Sequence, residues 1–486
     1  MTQETHHGDV AGATPPASGT TATLARFITQ SRVSLPSDVL TTVKLHILDT
    51  LGCQVAFARL PWSRAAWRYA AEARTTGPAT ISYYGAPASV EMAAFANASF
   101  AHGFEMDDTE MRSASHPGVV VVPAALAAAQ LHGSSGAELV SAVATGYEVM
   151  VRVGLSAVGM MRRGFHTTAV AGPFGAAAAA ASLWSLDDVH TAHALGIAAS
   201  HASGITEYSV SGGSVKRIHA GVAARSGIES VRLASAGITA PQGALEGRRG
   251  LLRAVSDDPG LLTSGLGEHF ELLTTGLKPH CCCAAQHTVI DAVAQLQNRH
   301  PHLTPAAIRR IRVLQNDREV DVVGLIVEPA DITSAQFSAA FGIALRLVRN
   351  ANGFSDYLNA RLDDEELLTI ARRVTYERAP AASPLPGDGP CQVSIELEDG
   401  SVLSAGVRSA RGTIASPMSE SDVIAKFHSL ADEPLGEERA GQVVETVMNL
   451  ERLPDSNQLA QHLAARSDDA QSSPDPSPSS AFFNLS

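Results

Sequence analysis

Four segments of this 486-residue chain bring histidines, lysines and carboxylates together in a sequence otherwise rich in alanine, valine and glycine. The first, "AHGFEMDDTEMRSASHPG" (101–118), lies between two apolar stretches, so we expect a helix end followed by a loop. A metal site needs ligands at set spacing, such as HxxxH on a helix, and this segment lacks it. It is therefore an acid–base site or a solvated connector with capping acids. Its acids are Glu105, Asp107, Asp108 and Glu110, and Thr109 and His116 complete it.

The second and third segments place histidine and cations at predicted helix starts. In "RRGFHTTAVAGPFG" (162–175), His166 precedes a Gly/Ala-rich helix whose first backbone N–H groups could hold a carboxylate. The alternative is a surface histidine at a helix entry. "SGGSVKRIHAGVAARSG" (211–227) contains Lys216, Arg217 and His219 but lacks the GxxxxGK[ST] spacing of a nucleotide loop. A carboxylate pocket fits better, and an ordinary basic helix start is the alternative.

The fourth segment, "GLKPHCCCAAQH" (276–287), contains Lys278, Cys283 and His287. Three adjacent cysteines cannot readily all face one tetrahedral zinc ion. A nucleophilic cysteine would need a nearby base and a lowered pKa. All four segments are helix ends with His, Lys or carboxylate groups, in a chain without a cofactor fingerprint. This pattern suits proton transfer on a polycarboxylate, in which lysine and histidine bind carboxylates and a second histidine or an acid moves the proton.

The elements that must position these segments are mainly helical. Apolar residues recur at helical spacing from residue 22 to about 268, over 35–58, 88–103, 119–132, 136–153, 167–183, 187–203 and 216–236. Between 269 and 411 the pattern predicts a smaller α+β unit, with a strand at 308–317, a hairpin at 391–410 and helices at 282–298 and 332–350. The helical residues of 412–466 would pack back on the first unit. Tails at 1–21 and 467–486 are predicted to be disordered.

Composition excludes several classes of function. The net charge is −13 without a basic block, so a nucleic-acid partner is not expected. Five cysteines form no disulfide framework, and the N-terminus lacks a signal core, so we expect a cytoplasmic protein. The apolar run at 169–184 contains Pro173 and many small residues, which favours a core helix over a membrane span.

The chain resembles the MmgE/PrpD family, which includes 2-methylcitrate dehydratases and cis-aconitate decarboxylases. The matching segments are "LPSDVLTTVKLHILDTLGC", "FEMDDTEMRSASHPGVVVVPAALAAAQ", "GFHTTAVAGPFGAAAAAASLWSL", "GGSVKRIHAGVAARSGI", "LKPHCCCAAQHTVIDAV" and "SPMSESDVIAKF". "ARLPWS" (58–63) and "GGSVKR" are most similar to the fungal cis-aconitate decarboxylase branch. The resemblance implies a large all-helical domain built from both chain ends, a smaller α+β lid domain, a homodimer and no cofactor.

The resemblance also implies roles for individual residues. The family's active-site acid falls on Glu105, and its other site residues match Asp108, Thr109, His116, His166, Lys216, His219, Lys278 and His287. The chain departs from the family pattern at Cys283, where animal decarboxylases have a histidine, and at Phe341, where a tyrosine is usual. Glu110 and Arg112 lie in a part of the first segment that also departs from the family pattern. If residues of this segment determine substrate specificity, we expect them to be these two.

Together these observations predict a cofactor-independent lyase acting on a citrate- or aconitate-like polycarboxylate. Cis-aconitate-type decarboxylation is preferred, 2-methylcitrate dehydration is the alternative, and a non-catalytic binding protein on the same scaffold is a third hypothesis. No metal or membrane partner is expected. The predicted catalytic residues are His116, His166, Glu105, Asp108 and Lys216. The predicted substrate-binding residues are Thr109, Arg217, His219, Lys278, Cys283 and His287.

Overall fold

A computed structural model of the chain describes residues 19–31, 35–255, 259–379 and 388–465. The predicted tail at 467–486 lies outside these residues, as does the predicted N-terminal tail up to residue 18. The first helix begins at Thr20, within the last residues of that predicted tail.

The first half of the chain folds mainly into helices, as its apolar periodicity predicts. A two-stranded ribbon, β1 (Ala79–Ile81) and β2 (Ala86–Ala88), interrupts them. The helices are α1 (Thr20–Gln30), α2 (Ser37–Phe57), α3 (Pro61–Glu72), α4 (Val90–Ala101), α5 (Gly118–His132), α6 (Gly136–Ala157), α7 (Thr167–Leu183), α8 (Asp188–Ala198), α9 (Tyr208–Ser211), α10 (Lys216–Ser235) and α11 (Leu251–Val255).

Small residues let α6, α7 and α10 approach closely. A Cβ added to Gly227 of α10 would lie 2.4 Å from Cβ of Ala176 and 2.6 Å from the backbone oxygen of Pro173. A Cβ added to Gly146 of α6 would lie 2.9 Å from the backbone oxygen of Gly175 in α7. Real Cβ atoms do not tolerate such distances from backbone, because close-packed interiors leave no room for extra atoms. Helix α7, which follows His166, and helix α10, which begins with Lys216, are therefore held side by side.

The predicted α+β part contains a four-stranded sheet in the order β4-β3-β5-β6. The predicted strand at 308–317 and the predicted hairpin at 391–410 are confirmed, whereas β4, which pairs in parallel with β3, was not predicted. The predicted helix at 332–350 is wrong as a single element, because Ser338 caps a new helix by accepting a hydrogen bond from the N–H of Phe341. The elements are α12 (His287–Arg299), β3 (Ile308–Asn316), α13 (Asp317–Val323), α14 (Ile332–Gln336), α15 (Ala339–Arg349), α16 (Phe354–Leu358), α17 (Glu365–Ala371), β4 (Val374–Ala379), β5 (Asp388–Leu397) and β6 (Val402–Ser409).

The C-terminal helices return to the N-terminal ones. They are α18 (Glu420–Leu435), α19 (Glu437–Met448) and α20 (Asn457–His462). Phe427 of α18 approaches α2 so closely that a Cβ on Gly52 would lie 3.1 Å from its ring. Nζ of Lys426 in α18 donates a hydrogen bond to the backbone oxygen of Met106, at 2.7 Å. Helix α18 thus contacts the loop between α4 and α5.

That loop lies where two apolar cores meet. One core consists of the N-terminal and C-terminal helices and includes Phe100 and Val119 on either side of the loop. The other contains the sheet with α12 and α15, and includes Phe104 and Met106 of the loop itself. Polar residues of the loop are therefore held at a buried junction rather than in solvent.

One helical stretch among the described residues, Gly136–Arg163, is long and apolar enough to cross a membrane by length and composition alone. Almost all of its apolar window is buried inside the structure, as in the core helix of a globular protein. The predicted core helix at 169–184 corresponds to α7, which is buried along nearly its whole length.

Candidate functional site

Glu105 is the centre of a buried charge cluster. It lies in the turn after α4, whereas Lys216 and Arg217 are the first residues of α10. Nζ of Lys216 contacts Oε1 of Glu105 directly, and Nη1 of Arg217 lies 3.2 Å from the same oxygen. Nζ of Lys278 lies 3.4 Å from the other oxygen, Oε2. All four side chains are buried, so residues from three distant segments form one ion cluster.

The charges in this cluster determine its protonation. Burial alone would raise the pKa of the Glu105 carboxyl, but the three surrounding cations hold it well below its usual value. Burial opposes the charged form of Lys278, yet Glu105 and Asp107 raise the pKa of this lysine above its usual value. Burial and the neighbouring cations lower the pKa of Lys216, with Glu105 opposing them. The three cations outnumber the carboxylates of Glu105 and Asp107, and this local excess of positive charge favours a further anion.

A second carboxylate, Asp107, holds two histidine rings. Its Oδ2 lies 2.9 Å from Nδ1 of His102 and 3.1 Å from Nδ1 of His116. Nδ1 of His116 also lies 2.6 Å from the backbone oxygen of Asp108. Because these partners are acceptors, Nδ1 of each ring carries the proton and Nε2 is left for other contacts. Burial would raise the pKa of Asp107, but its histidine partners hold it well below the usual value.

His102 is fully enclosed. Burial lowers its pKa to about 4, with Asp107 opposing the shift. Its Nε2 atom is buried and, within the described part of the chain, has no hydrogen-bond partner. The ring centroid lies 5.3 Å from that of His116 and 5.8 Å from that of His166. The three histidines thus form one group of rings.

His166 and His219 form a second histidine pair. His166 is the residue that precedes α7, and its Nδ1 lies 3.0 Å from Nδ1 of His219. Burial, together with His102 and Lys216, lowers the pKa of His166 well below its usual value. Burial and Lys216 lower the pKa of His219 to about 4. Both rings are neutral near pH 7, so one Nδ1 donates a hydrogen bond and the other accepts it.

Asp108 and Thr109 have other partners. The carboxylate of Asp108 accepts hydrogen bonds from the N–H of Gly118 at 3.0 Å and from the hydroxyl of Tyr147 at 2.8 Å. It therefore holds the start of α5, and its predicted catalytic role stays a prediction. The Thr109 hydroxyl faces the sulfur of Met111 at 3.7 Å, while its backbone pairs with Gly276 just before Lys278. That pairing joins the first and fourth segments.

Glu110 and Arg112 belong to a network of their own. Nε of Arg112 lies 2.7 Å from Oε1 of buried Glu110, and its Nη2 lies 2.5 Å from Oε2 of Glu271. The Glu110 carboxylate also accepts the N–H of Ser113 at 2.7 Å. These contacts brace the loop before His116, and the structure shows no contact of either side chain with the Glu105 cluster.

The fourth segment supplies Lys278 to the Glu105 cluster, and it also contains Cys283 and His287. Cys283 lies near Lys278 and Glu105, and burial raises the pKa of its thiol. His287 begins α12, and its Nε2 lies 3.2 Å from the backbone oxygen of Cys282. Burial and the charge of His280 lower the pKa of His287 well below its usual value. The predicted substrate contacts of Cys283 and His287 stay predictions.

Phe341 lies in the apolar core of the sheet-containing part and is fully buried. Its ring centroid is 6.5 Å from that of Tyr357, whose hydroxyl is also buried.

Three residues at this site were not predicted. His102 and Asp107 both lie in the first segment. Their separation by five residues around a turn is the sequence feature from which their pairing could have been predicted. The third is Tyr208, whose ring meets both His166 and His219 edge-on, with centroids 5.8 Å apart in each case. Nothing in the sequence around Tyr208 distinguishes it from a surface tyrosine.

The arrangement suits anion binding and proton transfer. Within the described ranges, no group of three or more His, Cys, Asp or Glu residues has the geometry to hold a metal ion. The side chains around Glu105 are cations, which repel metal ions and attract carboxylates. The neighbouring histidines have tautomers set by specific partners, as acid–base catalysis requires.

Comparisons with known proteins agree with this description. Residues 22–262 match the model of the MmgE/PrpD N-terminal domain, and residues 280–451 match that of the MmgE/PrpD C-terminal domain. The chain is 30% identical over 458 residues to a cis-aconitate decarboxylase of Aspergillus terreus, covering 88% of this chain and 92% of the relative. It is 26% identical over 470 residues to the cis-aconitate decarboxylase-like protein oryM of Aspergillus oryzae, with coverage of 91% and 97%. The human cis-aconitate decarboxylase is 25% identical over 406 residues, with coverage of 81% and 83%.

Proposed function

Because the chain belongs to the MmgE/PrpD family, we propose that it is a cofactor-independent lyase that decarboxylates cis-aconitate or a closely similar polycarboxylate. The shared name of its relatives supports the lyase class and a decarboxylase-type activity. Their identities of 25% to 30% leave the substrate to be argued from the site itself.

The observation that carries the proposal is the buried cation cluster around Glu105. Lys216, Arg217 and Lys278 all approach this single carboxylate, and none of the three is exposed. A buried cation is stable only with an anionic partner, and a ligand with several carboxylates supplies more than one. A polycarboxylate can therefore pair with two or more of these cations at once, which a monocarboxylate cannot.

His116 is the best candidate for the proton donor. The Asp107 carboxylate at its Nδ1 stabilises the imidazolium form, and the backbone oxygen of Asp108 fixes the ring. Its Nε2 then holds the transferable proton. His166 is neutral near pH 7 and is suited to binding substrate through a ring nitrogen.

The reaction follows from these roles. The lysines and Arg217 hold the carboxylates that remain on the product. The bond to the departing carboxylate breaks, CO2 leaves, and the electron pair delocalises into the adjacent alkene and carboxylate, where the cations stabilise it. Nε2 of His116 gives its proton to carbon, and solvent restores that proton. The cluster would use the same groups to dehydrate an alkylcitrate, so the experiment must separate the two reactions.

The test is incubation of the purified chain with cis-aconitate, citrate or 2-methylcitrate, followed by NMR. Loss of CO2 from cis-aconitate supports the proposal, and alkene formation from 2-methylcitrate favours dehydration instead. Lys278→Met is expected to abolish turnover. Lys44→Met removes another buried lysine, which pairs with Glu451 outside the cluster, and should leave turnover intact. A folded wild-type chain that turns over none of the three substrates would overturn the proposal.

A further inference from the structure

The segment between α8 and α10 is fastened to the residues around His166. The N–H of Thr206 donates to the backbone oxygen of Gly164 at 2.8 Å, and the N–H of His166 donates to that of Gly204 at 2.9 Å. Gly204 has a φ of 130°, and a Cβ there would lie 2.5 Å from Ala169, so this close approach requires glycine. The pairing sets the position of Tyr208, two residues after Thr206.

Tyr208 lies against the histidine pair and near the Glu105 cluster. Its ring meets His166 at an interplanar angle of 76° and His219 at 68°, both at 5.8 Å between centroids. These are edge-to-face contacts that orient the phenol. Burial raises the pKa of the Tyr208 hydroxyl, and the charge of Glu105 raises it further. The phenol therefore keeps its proton at any working pH and acts as a donor.

Neither Thr109 nor Phe341 supplies a hydroxyl donor to the site. Thr109 directs its hydroxyl to Met111, and Phe341 has none and lies in the apolar core. The cations supply charge but little directional preference among carboxylate oxygens. A phenol over the histidine pair would add a neutral donor with a fixed direction.

We propose that Tyr208 is a further substrate-contacting residue of this site, and that its phenol donates a hydrogen bond to a substrate carboxylate beside His166 and His219. This inference rests on the proposed function, because it takes a polycarboxylate as the ligand. The hydrogen bond would fix which carboxylate lies against the histidine pair and would contribute to both binding and catalysis.

Tyr208→Phe tests this, since it removes the hydroxyl and keeps the ring on both histidines. A hydrogen bond to a charged group contributes enough that kcat/KM for cis-aconitate should fall roughly 10- to 100-fold. Affinity for tricarballylate, an unreactive tricarboxylate, should fall by a similar factor in calorimetry. Tyr69→Phe is the matched control, because that exposed hydroxyl accepts from Arg225 on the surface of α3. It should change neither quantity.

A pH profile separates substrate contact from a structural effect. If the hydroxyl touches substrate, Tyr208→Phe lowers kcat/KM by the same factor at every pH, whereas Tyr208→Leu, which loses the ring contacts, also changes the profile. Unchanged kcat/KM and tricarballylate affinity in Tyr208→Phe would overturn the assignment of Tyr208 alone. A wild-type chain that binds tricarballylate but turns over no substrate would overturn the proposed function, and the binding comparison would still decide the role of Tyr208. A wild-type chain that does neither overturns both.

Discussion

The Nδ1 atoms of His166 and His219 lie 3.0 Å apart, so the two rings share a single Nδ1 proton. One ring must carry its proton on Nδ1 and the other on Nε2, because a neutral imidazole has one N–H. The tautomer of each ring therefore depends on that of the other ring rather than on a carboxylate, unlike in the Asp107-linked pair nearby. Burial and the positive charge of Lys216 keep both rings neutral by opposing their protonation.

The first prediction concerns the titration of this pair. His219 should stay neutral until the pH falls to about 4, because burial and Lys216 lower its pKa to that value. The unfolded chain, with an ordinary histidine pKa of about 6.5, binds the proton first as pH falls. The stability that depends on the neutral ring is therefore complete above about pH 6.5 and is lost as pH falls toward 4. NMR of labelled histidine, with His219→Gln for assignment, measures the midpoint, and a value near that of a model peptide would contradict the prediction.

The second prediction concerns Asp107. Asp107→Asn keeps the shape of the side chain, and its amide oxygen can still accept from both His102 and His116, which contact a single oxygen of Asp107. The substitution removes the negative charge that supports a protonated histidine beside it. Loss of the histidine's orienting carboxylate lowers kcat by about 100- to 10,000-fold in comparable acid–base sites. Asp187→Asn is the matched control, because Asp187 pairs with His190 at the surface, at 2.8 Å. Steady-state kinetics decide: equal kcat for wild type and Asp107→Asn would remove Asp107 from the acid–base machinery.

The third prediction concerns Glu105. Glu105→Gln leaves Lys216, Arg217 and Lys278 buried without their carboxylate, which should lower the free energy of unfolding by about 3–5 kcal/mol. Added tricarballylate should raise the Tm of this variant more than that of wild type, since the ligand replaces the missing anion. Glu433→Gln, which breaks an exposed pair with Arg59, should change stability by less than about 1 kcal/mol. Equal ligand-induced shifts in Tm would show that the ligand does not take the place of the Glu105 carboxylate.

The residues of the site could be predicted from the sequence, whereas the directions of their side chains could not. Glu105, Lys216 and Lys278 could be selected from sequence as charged residues at helix ends of an otherwise apolar chain. Asp108 looked equivalent to Glu105, but its carboxylate turns to the N–H of Gly118, and that choice depends on how the loop enters α5. Side-chain direction in a loop follows from tertiary hydrogen bonds that a single sequence does not display.

The helices and strands could likewise be predicted from the sequence only in part. The strand at 308–317 and the helices of the first half follow from apolar spacing, which local sequence contains. The parallel strand β4 joins the sheet through pairing with β3, a contact between residues about sixty positions apart that no local pattern reports. The domain boundaries, the homodimer and the cytoplasmic location stay predictions from sequence.

The last prediction concerns the support of the site loop by α18. Nζ of Lys426 lies 2.6 Å from Oδ1 of Asp49 and also holds the backbone oxygen of Met106, between Glu105 and Asp107. Lys426→Met leaves Asp49 as an unpaired buried carboxylate, so the free energy of unfolding should fall by about 3–5 kcal/mol.

Asp49→Leu/Lys426→Met removes both charges, so it should recover most of that stability in chemical denaturation. The double variant cannot restore the hydrogen bond to the backbone oxygen of Met106. We therefore expect kcat/KM to stay lowered, because the loop that positions Glu105 and Asp107 loses this contact. Lys44→Met, which breaks a partly exposed pair with Glu451, controls for loss of a lysine next to the C-terminal helices. If the double variant regained full stability together with full activity, the contact between Lys426 and Met106 would have no part in positioning Glu105 and Asp107.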